Sequence, residues 1–159
     1  MGAFTYAHKA VYDERPQILA TIIKAAGAEA TALVNKSNRG RWTPLHFAAR
    51  DGSIEMVQQL LRAGADVHPR NGRGNSALEE AANNRKRHLY PMLLAAGARI
   101  MPNAYGDAYL RKVFAAGGFK AYEKAHRQTL VTWAAKCFPR LPEEVAAQVV
   151  AFAFHTGYY

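Results

Sequence analysis

Apolar residues along this chain recur at helical spacing in short, paired blocks rather than in one long amphipathic run. Leu45, Ala48 and Ala49 share one face of an element that Thr43 is placed to cap and that has Pro44 at its first position, where a missing N–H costs nothing. Asp51-Gly52 ends that element. Ile54, Val57, Leu60 and Leu61 form the apolar stripe of a second helix, and Gly64 supplies the positive φ of its C-terminal cap. The two alanines let a neighbouring helix approach closely. The pattern predicts a helical hairpin, a unit that cannot bury its own apolar face and therefore needs neighbours.

The neighbours are present. Thirty-three residues on from Thr43 stands Ser76, and at the same spacing Leu78, Ala81, Ala82, Leu93, Leu94, Gly97 and Ala98 occupy the places of Leu45, Ala48, Ala49, Leu60, Leu61, Gly64 and Ala65. This copy departs at Ala77 for the proline, Glu79 for the histidine, Arg85 for the turn glycine, and Pro91 early in its second helix. Upstream, Thr5, His8, Ala10, Ile18, Ile22, Ile23 and Gly27 continue the pattern, with Ala7 in place of leucine. The surplus residues of this copy are assigned to a longer loop within 25–37. Arg41 holds a position usual for glycine, with Gly40 one residue earlier, which predicts a distorted turn at 38–42.

The run Thr43-Pro44-Leu45-His46-Phe47-Ala48-Ala49-Arg50-Asp51-Gly52, continuing to Leu60-Leu61-Arg62-Ala63-Gly64-Ala65-Asp66-Val67, resembles one whole ankyrin repeat. The resemblance implies an all-α fold, a short ankyrin-repeat solenoid of about three helical hairpins with a helical C-terminal extension. Its repeats are a capping repeat with loop at 1–37, a full repeat at 38–70 and a degenerate repeat at 71–102, followed by the extension at 103–159 packed on the stack. It also implies that His46 ties a turn to the next repeat by hydrogen bonds, a structural role, and that the protein binds rather than catalyses. In that frame the partner-binding residues are Arg39, Arg41, Trp42, Arg73 and Asn75 at the finger tips, and Phe47, Arg50, Asp51, Glu80, Asn83 and Asn84 on the inner helix face. Trp42 and Arg41 are the expected hot spots, since Trp and Arg dominate such sites.

Past 102 the composition turns aromatic. Asp107 can cap a helix carrying Leu110, Val113 and Phe114; Gly117-Gly118 breaks it; a longer helix follows from about 119 to 136 with Tyr122, Ala125, Thr129, Val131 and Trp133; Pro139 ends it. These helices are expected to shield the end of the stack. Leu141-Pro142-Glu143-Glu144, followed by Val145, Val149 and Phe152 on one face, resembles the opening helix of F-box domains. That likeness implies docking on a ubiquitin-ligase adaptor through Leu141, Val145, Val149 and Phe152. Only nineteen residues remain from Leu141 onward, whereas a full F-box has some forty, and the same motif is also simply a good helix start.

Charge changes the picture of the partner. Twenty-one Lys and Arg against twelve Asp and Glu leave a formal net charge of +9 at pH 7. The basic residues gather at Lys36, Arg39 and Arg41, at Arg70 and Arg73, and at Arg85 to His88; the first two groups make a basic ridge at successive finger tips. The ridge suits an acidic protein surface or, by charge alone, the phosphates of an RNA-rich or membrane-associated assembly; it also serves as a solvated face. No zinc pattern, helix-turn-helix or RNP-like motif supports sequence-specific nucleic-acid reading. The single Cys137 excludes an internal disulfide and is read as buried packing. No phosphate loop, dinucleotide fingerprint or His-Glu-x-x-His occurs, and the six histidines are scattered, so no enzyme activity, cofactor or metal site is expected. No membrane span and no targeting segment is read from the sequence, and a cytoplasmic, soluble protein is expected. Three function classes follow: an interaction scaffold or structural subunit, a ligase substrate adaptor, and a basic accessory subunit.

Overall fold

The computed structural model describes residues 5–101, 106–137, 142, 144 and 145. Among them all regular structure is helical: α1 (Tyr6–Tyr12), α2 (Pro16–Ala26), α3 (Ala30–Asn35), α4 (Pro44–Asp51), α5 (Ile54–Arg62), α6 (Ala77–Asn83), α7 (Tyr90–Ala95), α8 (Ala108–Ala115) and α9 (Phe119–Cys137), with 3₁₀ turns at Gly27–Glu29 and Arg87–Leu89. The chain divides into two compact units, Met1–Met101 and Pro102–Tyr159.

In the first unit α1, α4 and α6 pack side by side as an inner layer, and each pairs with its own outer helix, α2, α5 and α7. The inner layer stacks closely because its facing positions are small: Ala7, Ala10, Ala48, Ala49 and Ala81 are buried, with Leu45 and Leu78 filling the space between hairpins. Each inner helix opens alike. Thr5, Thr43 and Ser76 are the N-caps of α1, α4 and α6, in extended backbone, and each is completed by the residue three further on, His8, His46 and Glu79. Each inner helix also ends alike, on a residue in the left-handed region: Glu14 (φ 53°), Gly52 (φ 90°) and Arg85 (φ 58°).

Two apolar stripes differ from those expected. In α5 the buried residues are Met56, Val57 and Leu60, while Ile54 is 45% exposed. With Val57 as zero, Leu60 and Met56 lie at roughly −60° and −100° around the helix and Ile54 at about +60°, so the buried arc is turned toward α2. In α2 Leu19, at the register position of Val57, is the buried residue, and Ile18 is 44% exposed because it occupies the Met56 position on the first hairpin, which faces outward from the stack. The loop expected within 25–37 is a helix. There α3 buries Val34, and its polar side chains satisfy the end of α5: Thr31 Oγ1 donates to the Ala63 carbonyl (3.0 Å), Asn35 Nδ2 to that of Gly64 (2.9 Å), and Asn35 Oδ1 accepts from the Asp66 N–H (2.7 Å).

The stretch Pro16–Asn35 is long and apolar enough to cross a membrane by length and composition alone, with a mean hydropathy of 1.3. Here it is broken at Gly27 (φ 52°) and forms α2, a 3₁₀ turn and α3 of the first hairpin.

In the second unit Asp107 caps α8 by accepting from the N–H groups of Tyr109 (2.8 Å) and Leu110 (3.4 Å), and Gly117 and Gly118, both at positive φ, end it. Leu110 and Val113 are buried; Phe114, expected beside them, is 54% exposed. Tyr122 of α9 stands edge-on to Tyr109 of α8, with ring centroids 5.4 Å apart. Of the adaptor-like segment, Leu141, Val149 and Phe152 lie outside the described residues, as does Pro139; Val145 is exposed and donates its N–H to the Pro142 carbonyl.

Candidate protein-interaction surface

The site rests on two fingers, Asn38–Trp42 and Asn71–Asn75, each closed by the same bonds. Asn38 N–H donates to the Trp42 carbonyl (2.9 Å) and Asn71 N–H to that of Asn75 (2.9 Å). The Asn38 amide oxygen takes the N–H groups of Gly40 and Trp42, and that of Asn71 the N–H groups of Arg73 and Asn75. Arg41 stands at φ 61° where the second finger has Gly74 at φ 80°, so the first finger keeps the turn rather than being distorted; the arginine accepts the strain instead. The fingers touch directly: Gly72 N–H donates to the Gly40 carbonyl at 2.7 Å, an approach that leaves no room for a side chain at Gly72.

Histidines clamp the fingers to the helices. In α1, His8 Nδ1 accepts from the Thr5 hydroxyl (2.7 Å) and N–H (3.2 Å), which leaves Nε2–H to donate to the Trp42 carbonyl (2.8 Å). His46 repeats this with Thr43 (2.8 and 3.2 Å) and donates Nε2–H to the carbonyls of Pro69 (3.1 Å) and Asn75 (3.0 Å). Burial lowers the pKa of both imidazoles against the opposing pull of those carbonyls, and the pattern requires the neutral ring with its proton on Nε2. The third clamp position holds Glu79 instead. Its Oε2 accepts from the Ser76 N–H (2.7 Å) and from Arg70 (3.2 Å), and its buried Oε1 has no partner among the described residues.

Between fingers and helices lies a cluster of aromatic rings and arginines. Phe47 is 8% exposed, with its ring centroid 4.9 Å from that of Trp42 and 6.3 Å from that of Tyr12. Arg50 Cζ sits 5.6 Å from the Trp42 centroid and 5.1 Å from that of Phe47, and Arg73 Cζ, from the second finger, 5.4 Å from Trp42. Such cation–π contacts contribute about 0.5–1 kcal/mol each at exposed sites and, more usefully, fix where the guanidinium groups point. Arg50 also forms a double hydrogen bond with Asp51 (2.8 and 3.3 Å), which raises its pKa further.

This geometry divides the expected contact residues. Arg39, Arg41, Arg73, Asn83 and Asn84 are exposed, and Trp42, Arg50, Asp51 and Asn75 half-buried. Phe47 and Glu80 are buried, and so support the surface rather than form it. Glu80 is 1% exposed, its Oε1 accepting from Asn71 Nδ2 (2.7 Å) and Asn75 Nδ2 (3.0 Å), which pins the second finger to α6. Tyr12, not foreseen, is 57% exposed beside Phe47. Its register position, in line with Arg50 and Asn83 one and two hairpins on, was the available signal. The arrangement offers directed cations, amides and ring faces on a rigid frame, which is the chemistry of binding.

Comparison with known proteins agrees with this frame. The family model described as "Ankyrin repeats (3 copies)" matches residues 7–104, more than half of the chain. The chain is similar to the NF-kappa-B inhibitor alpha of Gallus gallus (35% identity over 77 residues, 48% of this chain and 24% of that protein) and to the mitochondrial disaggregase of Bos taurus (44% over 75 residues, 45% and 11%). It is also similar to the ankyrin repeat and SOCS box protein 11 of Homo sapiens (45% over 47 residues, 28% and 15%). The matches thus span a quarter or less of the length of these relatives. The chain belongs to the ankyrin-repeat family, whose repeats are protein–protein interaction domains.

Proposed function

We propose that this chain is a non-catalytic interaction scaffold or structural subunit that holds one protein partner, with an acidic surface, against its fingers and inner helix face. The observation that carries the reading is the cluster around Trp42. Arg50 of α4 and Arg73 of the second finger converge on one half-buried indole, and the two fingers with their flanks carry Lys36, Arg39, Arg41, Arg70 and Arg73 with no acidic residue over 36–43 or 69–76. Such a field steers acidic partners, and the packed rings supply the central anchor.

The test places a photo-crosslinking residue at Arg39 or Asn83, and at Gln58 on the exposed side of α5 as the comparison, in the full chain expressed in its native cells. One protein crosslinked from 39 and 83 but not from 58, and lost with Trp42→Ala plus Arg41→Ala while the chain stays folded, supports the reading. Crosslinks confined to position 58 would remove the fingers from the interface. A second reading, a ligase substrate adaptor, draws on the resemblance of Leu141 to Phe152 and on a relative named for its SOCS box. Leu141→Ala with Val145→Ala should then abolish capture of a ligase component, and capture unchanged by that pair ends it.

A further inference from the structure

We propose that Arg73, set over the Trp42 ring, is a receptor for one negatively charged side chain, a carboxylate or a phosphorylated hydroxyl, carried on an extended protein segment lying across the inner face. The proposal rests on the reading that this face binds a protein and names the chemistry of the contact. The cations around the fingers are not equivalent. Arg50 is neutralised by Asp51 at 2.8 Å, and Arg70 is held by Glu79 and by the Gly74 carbonyl. Lys36, Arg39 and Arg41 are exposed and touch no ring among the described residues. Arg73 is the one described arginine here that is both fixed by an aromatic face, at 5.4 Å, and without a carboxylate partner.

Contact with the indole restrains the guanidinium while its N–H groups stay available for paired bonds to an oxyanion, at a lower entropy cost than an untethered arginine would carry. The base beneath it is stiff. Arg73 follows Gly72, whose N–H is bonded to the first finger, and its own N–H is held by Asn71 (2.9 Å), whose amide is in turn bonded to buried Glu80. A protein segment fits better than a polyphosphate chain because the positive charge gathers at the fingers and again at Arg85 to His88, and is not continuous along the inner helices between them. Along the inner helices the groups are mixed or neutral: Lys9 paired with Asp13 at 2.9 Å, exposed Tyr12, and the amides of Asn83 and Asn84, which suit a peptide backbone.

The experiment uses the full chain with Trp133→Phe, so that Trp42 is the only indole, and follows its fluorescence during titration with four probes: hexaglutamate, a phosphoserine peptide of equal net charge, a thymidylate oligomer of equal net charge, and inorganic phosphate. The expected result is a saturable change with both peptides, weakened about tenfold by Arg73→Ala and several-fold by Arg73→Lys, and less than threefold by Arg62→Ala on α5, which removes the same charge elsewhere. Tighter binding of the phosphoserine peptide than of hexaglutamate identifies a phosphorylated partner, and equal or weaker binding a carboxylate. Equal loss with Arg73→Ala and Arg62→Ala, tighter binding of the oligomer or of free phosphate than of either peptide, or no change with either peptide overturns the proposal. Crosslinking from Arg39 and Asn83 that survives Arg73→Ala would sink the receptor while leaving the interaction surface in place.

Discussion

Arg85 ends α6 in the left-handed region at φ 58°, where α4 uses Gly52 at φ 90°. The bonds that require this conformation are intact: Lys86 N–H reaches the Ala81 carbonyl (2.8 Å) and Arg85 N–H that of Ala82 (3.1 Å), the pair that closes a helix end of this kind. A side chain with a Cβ is disfavoured there by roughly 1–2 kcal/mol, while a glycine loses about 0.5–1 kcal/mol more chain entropy on folding. Arg85 is exposed and has no ion pair among the described residues, so nothing else is lost with its side chain. Arg85→Gly should therefore stabilise the repeat unit by about 0.5–1 kcal/mol, or roughly 2–8 °C in melting temperature for a unit of this size. Far-UV circular dichroism melts and urea titrations of the wild type, Arg85→Gly and Arg85→Ala measure it. Alanine keeps the Cβ and removes the charge, so it should leave the midpoint nearly unchanged. An alanine variant as stable as the glycine variant would assign the gain to charge, and a glycine variant no more stable than wild type would refute the backbone argument.

Other outcomes follow from the same geometry. A Cβ at Gly72 would lie 2.8 Å from the Gly40 carbonyl oxygen, so Gly72→Ala should part the fingers and cost about 1–3 kcal/mol, read as a lower urea midpoint and weaker partner binding. His8 and His46 have pKa values lowered by burial, so the unfolded chain binds more protons than the folded one below about pH 6.5. Their stabilisation is complete above that pH and is lost as pH falls toward the depressed folded values; the urea midpoint should drop between pH 7.5 and 5.5, and a flat midpoint would contradict neutral clamps. Glu80→Ala orphans the amides of Asn71 and Asn75 and should cost about 2–3 kcal/mol, whereas Glu80→Gln keeps an acceptor and should cost less than about 1 kcal/mol, both by denaturant titration.

What was legible in the sequence was local. Thr43-Pro44, Ser76 and Asp107 announce helix starts because a capping side chain acts within three residues of itself, and the alanine and leucine register betrays stacking because every hairpin faces the same neighbour. What was missed needs a second segment to decide it. Residues 30–35 carry no strong stripe of their own; they are helical in a place where Thr31 and Asn35 find the carbonyls of Ala63 and Gly64, some thirty residues away. Ile54 and Ile18 look as apolar as Met56 and Leu19, and only the direction of the neighbouring hairpin separates them.

The same distinction governs the site. A ladder of inner-face positions can be written from the repeat period, and it places Tyr12, Arg50 and Asn83 in one line. It does not say that Phe47 lies under Trp42, or that Glu80 is consumed by two asparagines of the adjacent finger. Variable positions of a repeat are therefore of two kinds, those that meet the partner and those that fix the finger that meets it. Glu80 holds Asn71, Asn71 holds the backbone of Arg73, and Arg73 lies on Trp42, so a buried carboxylate sets the position of an exposed cation through two hydrogen-bonded steps. A substitution at Glu80 should consequently weaken binding by loosening a finger it does not touch the partner with, and Arg73 should weaken it with little loss of stability. Measuring both stability and affinity for the two variants separates the kinds, which a contact map of the complex alone could not do.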